Sequence, residues 1–186
     1  MGEQPAGLIG LTTRWNKPGL SSQPLGRCRP PNNMRIPPPI IFLGSIFLGA
    51  VLGVVAPVST DWLSGSLARL LGIPILLVAL ILVVLTFREF RKVGTGFDYD
   101  RTRSEDTVSV LITGGPFRYS RNPMYLSAVL LQLGLGIWLR NVWMVLLLLA
   151  TILLINVLSI LPEEKFLEQR FGEIYREYRR RVRRWL

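Results

Sequence analysis

The chain has 186 residues, of which 49% are apolar, yet its formal net charge is +10. This combination is unusual for a soluble domain of this length. With no histidine and only Cys28, the sequence excludes a disulfide framework, a Cys/His zinc site and a histidine general base, and no metal site is expected.

The first element in chain order is an N-terminal arm, residues 1–36. It is rich in Gly, Pro, Ser and Asn and lacks helical periodicity. These features are typical of disordered segments. Because Met34 leads directly into the first apolar run, we expect residues 1–33 to be dispensable. The remaining residues, 37–186, are expected to form one membrane domain.

Four apolar runs follow, at residues 40–58, 67–87, 124–139 and 142–161. A transmembrane helix needs about 17–25 predominantly apolar residues. Three runs reach this length, and the short third run can be extended into the membrane interface by the segment that begins at Tyr119. We therefore predict an all-α integral membrane protein with four transmembrane helices. A tight turn at Arg140-Asn141 joins the last two.

The distribution of positive charge predicts the orientation in the membrane. Of the 22 Lys and Arg residues, only Arg69 and Arg140 lie on the far side of the predicted spans. The positive-inside rule therefore puts both termini and the loop 88–123 in the cytoplasm. The net charge then reflects interaction with the lipid bilayer, and we expect no nucleic-acid partner because no helix-turn-helix or RNA-binding pattern is present.

The C-terminal segment, residues 162–186, has the pattern of a cytoplasmic amphipathic helix. Its apolar side chains recur at steps of four and three and would form one face. These side chains are Leu167, Phe171, Ile174, Tyr178, Val182 and Trp185. Gly172 favours a bend in this helix. The basic end, Arg179 to Arg184, is expected to lie on anionic headgroups.

The segment from Gly115 to Tyr125 contains two arginines, two tyrosines, an asparagine and two prolines, directly before the third run. So much hydrogen-bonding capacity at the mouth of a helix indicates a polar site. Glu163 and Glu164 follow the fourth run, and the two open ends of an antiparallel hairpin return to the same membrane face. Ionisable groups at membrane depth suggest a function and a partner. We expect the arginines and glutamates to pair with each other or with a zwitterionic ligand between them.

Simpler explanations exist for the same residues. Arginines flank cytoplasmic span ends in any membrane protein, and acidic residues in a first helical turn gain about 0.3–1 kcal/mol from the helix dipole. Gly134 and Gly136 are best explained by close helix packing. Under this alternative the chain is a non-enzymatic four-helix scaffold or transporter subunit, whose arginine-glutamate cluster clamps the tail. The lack of paired broken helices disfavours the transporter.

At these residues the chain resembles the isoprenylcysteine carboxyl methyltransferase family and its relatives, the membrane phospholipid N-methyltransferases. That family has a Gly-x-Tyr-x-x-x-Arg-His-Pro-x-Tyr segment, a helical hairpin, paired glutamates and a Phe-Gly-x-x-Tyr segment. The corresponding parts here are Gly115 to Tyr125, Glu163-Glu164, and Phe171 to Tyr175. The likeness extends over residues 108–186.

The resemblance implies an S-adenosylmethionine-dependent methyltransferase that acts on a small or lipid-like acceptor at the cytoplasmic membrane face. It implies catalytic roles for Arg121, Asn122 and Glu163. The residues implied to line the cofactor pocket are Ser109, Val110, Leu111, Ile112, Phe117, Asn122, Pro123, Met124, Tyr125 and Glu163.

Two departures from the family pattern matter for the function. The family histidine is Asn122, which can hydrogen-bond but cannot act as a base. The eukaryotic enzymes have a substrate-contacting arginine where this chain has Ser159, which disfavours prenylcysteine as the substrate. The chemistry tolerates both changes, because a sulfonium methyl group is already activated and positioning can supply up to about 7–11 kcal/mol. Glu163 is then expected to bind the ribose or ammonium group of the cofactor.

Overall fold

The computed structural model describes residues 37–92 and 111–186, and every regular element within those ranges is helical. A 3₁₀ turn, Gly115–Arg118, and a π-helical turn, Asn156–Ile160, accompany the α-helices. The α-helices are α1 (Pro38–Val55), α2 (Gly65–Lys92), α3 (Pro123–Trp138), α4 (Val142–Ile155), α5 (Leu161–Phe171) and α6 (Glu173–Arg181). The predicted N-terminal arm, residues 1–36, lies outside the described residues.

Three stretches of the described chain are long and apolar enough to cross a membrane, namely Pro38–Val55, Gly65–Lys92 and Val142–Phe171. They make this a multi-pass membrane protein, as predicted. The remaining predicted span, α3, is an apolar helix of 16 residues. At a rise of about 1.5 Å per residue it is shorter than the roughly 30 Å hydrocarbon core. That α3 crosses the membrane alone therefore stays a prediction.

The hairpin of α3 and α4 forms the centre of the bundle, with α2 packed along α3 and α1 along α4. Glycines allow these helices to approach closely. A Cβ atom on Gly134 would lie 2.8 Å from the Leu76 side chain, and one on Gly136 would lie 2.9 Å from Val145. The packing role expected for both glycines is confirmed. Small residues have this role in membranes because the lipid is as apolar as the helix surfaces.

A buried polar network connects three of the helices near mid-bundle. The Gln132 side-chain amide, which is fully buried, donates to the Ser45 hydroxyl at 2.9 Å and to the Met144 carbonyl at 3.1 Å. The Thr151 hydroxyl lies 2.7 Å from that of Ser45 and 2.9 Å from the Leu147 carbonyl. Hydrogen bonds between helices specify the packing of α1, α3 and α4, since apolar contacts do not distinguish helix from lipid.

The C-terminal segment differs from the single helix predicted for residues 162–186. Helix α5 continues α4 through the π-helical turn, and Gly172, with φ +55°, separates it from α6. The predicted bend at Gly172 is confirmed. Beyond it the predicted apolar face is wrong at Ile174, because the break changes the rotation of the chain: Ile174 is 53% exposed and Tyr175 is 1% exposed. The other predicted members beyond the break, Tyr178, Val182 and Trp185, are half-buried. Helix α6 ends at Arg181, and residues 182–186, here called the strap, leave the helix in an extended conformation at Val182.

We expect Gln132→Leu to lower the free energy of unfolding by about 1–2 kcal/mol, the value of an interhelical hydrogen bond in a membrane. The substitution removes the amide that donates to the Met144 carbonyl and to the Ser45 hydroxyl. Reversible unfolding in detergent micelles measures the effect. Leu131→Ala, at the exposed neighbouring position, is the control and should change stability less. Equal stability of Gln132→Leu and the unmodified protein would contradict a stabilising network.

Candidate functional site

The two sequence motifs meet at the end of the hairpin where α3 begins and α4 continues into α5. The Tyr125 hydroxyl donates a hydrogen bond to Glu163 Oε2 at 3.1 Å. Tyr125 lies in the first turn of α3 and Glu163 in the first turn of α5. The expectation that the ends of the hairpin come together is therefore confirmed.

Glu164, the neighbour of Glu163, is buried and binds two arginines. Its Oε1 atom lies 2.9 Å from Arg121 Nη1 and 3.0 Å from Arg184 Nε, and its Oε2 lies 2.7 Å from Arg184 Nη2. The Arg184 contact is a two-pronged fork, the strongest form of a guanidinium-carboxylate pair. Two cations share one carboxylate, so this cluster carries an excess positive charge.

The strap lies against the segment that precedes α3. The Arg121 main-chain N–H donates to the Arg183 carbonyl at 3.0 Å. The Asn122 side-chain amide and the Ser120 hydroxyl both donate to the Arg184 carbonyl, at 3.2 Å and 3.3 Å. The expectation that Arg179 to Arg184 rests on lipid headgroups is wrong for Arg184, because a buried carboxylate within the protein binds its guanidinium.

Beyond Arg184 the strap reaches the apolar core. Trp185 packs against the buried cluster of Phe42, Ile155 and Ile160, which lies between α1 and α4. Tyr125 packs against the same cluster from α3. The strap is therefore held at two neighbouring residues, at Arg184 by Glu164 and at Trp185 by the apolar core.

Two tyrosines of α6 complete the attachment of the tail. The Tyr178 hydroxyl donates to the Phe117 carbonyl at 2.7 Å, and Arg121 Nη1 lies 3.5 Å from the Tyr175 hydroxyl. Burial raises the pKa of Tyr175, and the negative charge of Glu164 raises it further. Burial also raises the pKa of Tyr178. The hydrogen bond to Glu164 raises the pKa of Arg184.

The residues predicted to form the site are therefore divided between two environments. Tyr125 and Glu163 face each other. Arg121 and Asn122 instead hold the tail, the first through Glu164 and the second through the Arg184 carbonyl.

The other predicted pocket residues lie around the beginning of α3. Leu111 and Ile112 are half-buried before the turn into the 3₁₀ segment. The Phe117 ring packs edge-on against Phe90, with ring centroids 5.8 Å apart. Pro123 is buried and Met124 is half-buried in the first turn of α3. Ser109 and Val110 lie outside the described residues.

Sequence reasoning did not predict the contacts of Arg184 with Glu164, of Tyr175 with Arg121 or of Tyr178 with Phe117. Tyr175 belongs to the Phe-Gly-x-x-Tyr segment and Glu164 to the paired glutamates, so their positions were a usable signal. Arg184 gave none, because it is one of several arginines in a basic run.

The π-helical turn adds two buried polar atoms to the same region. Asn156 Oδ1 and Ser159 Oγ are buried, and neither has a hydrogen-bond partner in the described part of the chain. Ser159 precedes Glu163 by four residues, which places both on one side of the helix. Such π-helical turns are frequent at functional sites.

A separate surface cleft of about 380 Å³, lined by Lys165, Glu168, Gln169 and Arg176, contains none of the predicted site residues.

The helical membrane fold and this hairpin end define a membrane protein with a cluster of buried polar side chains at one end of the bundle. Residues 67–174 match the family model described as phospholipid methyltransferase, and the chain belongs to that family, whose members use S-adenosylmethionine. An uncharacterized protein of Haemophilus influenzae is 46% identical over 63 residues, which are 34% of this chain and all of that protein. No solved structure matches the chain.

The raised pKa values of Tyr175 and Tyr178 predict a loss of stability at alkaline pH. An unfolded tyrosine loses its proton near pH 10.0, whereas the folded protein retains both protons to higher pH. The unfolded state then binds fewer protons, so the free energy of unfolding must fall as the pH rises above about 10. We expect the free energy of unfolding, measured from neutral to alkaline pH, to fall less steeply in a Tyr175→Phe/Tyr178→Phe double variant than in the unmodified protein. An unchanged slope would contradict the assignment.

Proposed function

We propose that this protein is an integral-membrane S-adenosylmethionine-dependent methyltransferase that acts on a small or lipid-like acceptor at the cytoplasmic membrane face. The observation that carries this proposal is the family match over residues 67–174. It includes the segment before α3, the hairpin and both glutamates, and these parts meet at one end of the bundle. The excess of Lys and Arg in the segments at this end supports its cytoplasmic orientation.

The side chains at this end fit the chemistry of the cofactor. S-adenosylmethionine carries a carboxylate, an ammonium group, ribose hydroxyls and an adenine ring. Glu163 would accept hydrogen bonds from the ribose or ammonium group. Arg121 has a buried Nε–H with no partner in the described residues, and this donor suits an anionic group. The half-buried Phe117 offers an aromatic surface for the adenine.

When bound, the cofactor supplies an activated sulfonium methyl group. The chain's own groups would then orient the reactants, since no strong base is found among the described side chains that face this region. Tyr125 fixes the Glu163 carboxylate with a hydrogen bond, and the Arg184 carbonyl orients the Asn122 amide. A carboxylate or thiolate acceptor needs no general base at neutral pH. Positioning alone can supply up to about 7–11 kcal/mol.

The buried polar atoms Asn156 Oδ1 and Ser159 Oγ support a lateral route by which the methyl-accepting substrate enters from the bilayer. They precede Glu163 along the same helical stretch, and so lie on its membrane side. An amphiphilic acceptor that moves between the helices from the bilayer would meet these atoms before it reaches the level of Glu163.

A second candidate function is a non-enzymatic membrane scaffold. The observation that favours it is the clamp itself, because Glu164 binds the tail through Arg184, as a purely structural cluster would. The two functions differ in their response to the cofactor. A ligand at 100 times its Kd stabilises a protein by about 2.7 kcal/mol, so an enzyme should gain thermal stability with cofactor and a scaffold should not.

Calorimetric titration of the purified protein in detergent with S-adenosylhomocysteine, the demethylated product, tests the cofactor site. We expect binding, and we expect Glu163→Gln to weaken it about tenfold because a charge-assisted hydrogen bond contributes about 1.5–3 kcal/mol. Glu168→Gln, which alters a glutamate of the same helix that pairs with Arg179, is the control. Absence of binding at millimolar ligand would disprove the proposed function. If Glu163→Gln binds S-adenosylhomocysteine with the affinity of the unmodified protein, the Glu163 carboxylate does not contact the cofactor.

Transfer of a labelled methyl group identifies the acceptor class. The protein in detergent is incubated with labelled S-adenosylmethionine in two separate reactions. One contains a total membrane lipid extract and the other contains small thiols. We expect label in the lipid fraction, because the buried polar atoms of the π-helical turn favour the lateral route. Label that enters only the thiols would refute that route while supporting a methyltransferase. The same reactions without the protein provide the background.

A further inference from the structure

Arg184 makes two contacts that link separate parts of the site. Its guanidinium forks onto both oxygens of Glu164, at 3.0 Å and 2.7 Å. Its carbonyl accepts a hydrogen bond from the side chain of Asn122 at 3.2 Å. A single residue therefore connects the buried carboxylate of α5 to the polar segment that begins α3.

The anchoring of Arg184 determines where the Asn122 side chain points. An amide is planar, so a nitrogen held by the strap also fixes the direction of the amide oxygen. The Arg121 main-chain N–H is fixed in the same way by the Arg183 carbonyl, at 3.0 Å. These bonds set the conformation of the segment before α3, and that conformation sets the position of Tyr125 opposite Glu163.

Glu164 holds this arrangement because it is 6% exposed, and a carboxylate buried to this degree needs close partners to offset its lost hydration. Loss of Arg184 leaves it with Arg121 alone, which must then compensate the whole buried charge. The Arg121 side chain would be drawn further towards Glu164, and its unpartnered Nε–H would move with it.

We propose that the strap is part of the cofactor site, with Arg184 and Glu164 as positioning residues that hold Arg121 and Asn122 in the geometry needed for cofactor binding. Neither residue touches the cofactor. This inference rests on the proposed function. It adds that residues beyond the family match, which ends at residue 174, determine cofactor affinity.

Hydrogen exchange and cofactor titration on the same variants test the proposal. In Arg184→Ala the Arg121 amide should exchange severalfold faster, and the Kd for S-adenosylhomocysteine should rise about tenfold, or about 1.4 kcal/mol. Arg184→Lys should recover part of the affinity, since it retains the charge but cannot form the fork. Arg180→Ala removes an exposed arginine of α6 that lies 3.9 Å from Glu173, and it should change neither quantity.

The possible results separate this inference from the proposed function. Unchanged exchange at Arg121 in Arg184→Ala would overturn the strap as the element that holds the segment. Faster exchange with unchanged affinity would overturn its role in the site and leave a structural clamp. If Arg184→Ala does not fold, Arg184→Lys decides by the same two measurements. An unmodified protein that binds no cofactor overturns the proposed function and the positioning role together, whereas faster exchange in Arg184→Ala would still establish the strap contact.

Discussion

The arrangement at this end of the bundle depends on one buried carboxylate, Glu164, shared by two guanidinium groups. The effective penalty for burying an ion is several kcal/mol, and close pairing with good hydrogen bonds offsets it. Arg121 comes from the segment before α3 and Arg184 from the strap. The carboxylate therefore favours the state in which α3, α5 and the tail are all in place, and it disfavours arrangements that lack any one of them.

The adjacent glutamates have different partners because of helix geometry. Consecutive residues of an α-helix point about 100° apart, so Glu163 faces Tyr125 across the hairpin while Glu164 faces the tail. Glu164 is buried, so water cannot replace Arg121 and Arg184 as its partners. Glu163 is half-buried and accepts a hydrogen bond from Tyr125, and the proposed function assigns the cofactor contact to this carboxylate.

The sequence predicted the parts of this structure that follow from local pattern. Long apolar runs predicted the three helices that are long enough to span a membrane, Gly134 predicted close packing, and Gly172 predicted the break in the tail. The contact of Arg184 with Glu164 was not predictable, because nothing in a basic run distinguishes the one arginine that turns inward. The apolar face was extended through Gly172 as if the helix were continuous, although a residue with φ +55° ends that periodicity. Long-range pairing depends on the path of the chain, which local spacing does not specify.

The strap also connects the site to a helix outside the family match. The match covers residues 67–174, whereas α1 precedes it and the strap follows it. Trp185 nevertheless packs against a cluster to which α1 contributes Phe42. Residues 67–174 alone would lack Arg184, so Glu164 would have one counter-ion, and they would lack both Phe42 and Trp185 at the core beside it. The family region contains the site residues, and the flanking segments supply the charge and the apolar contact that hold them in place.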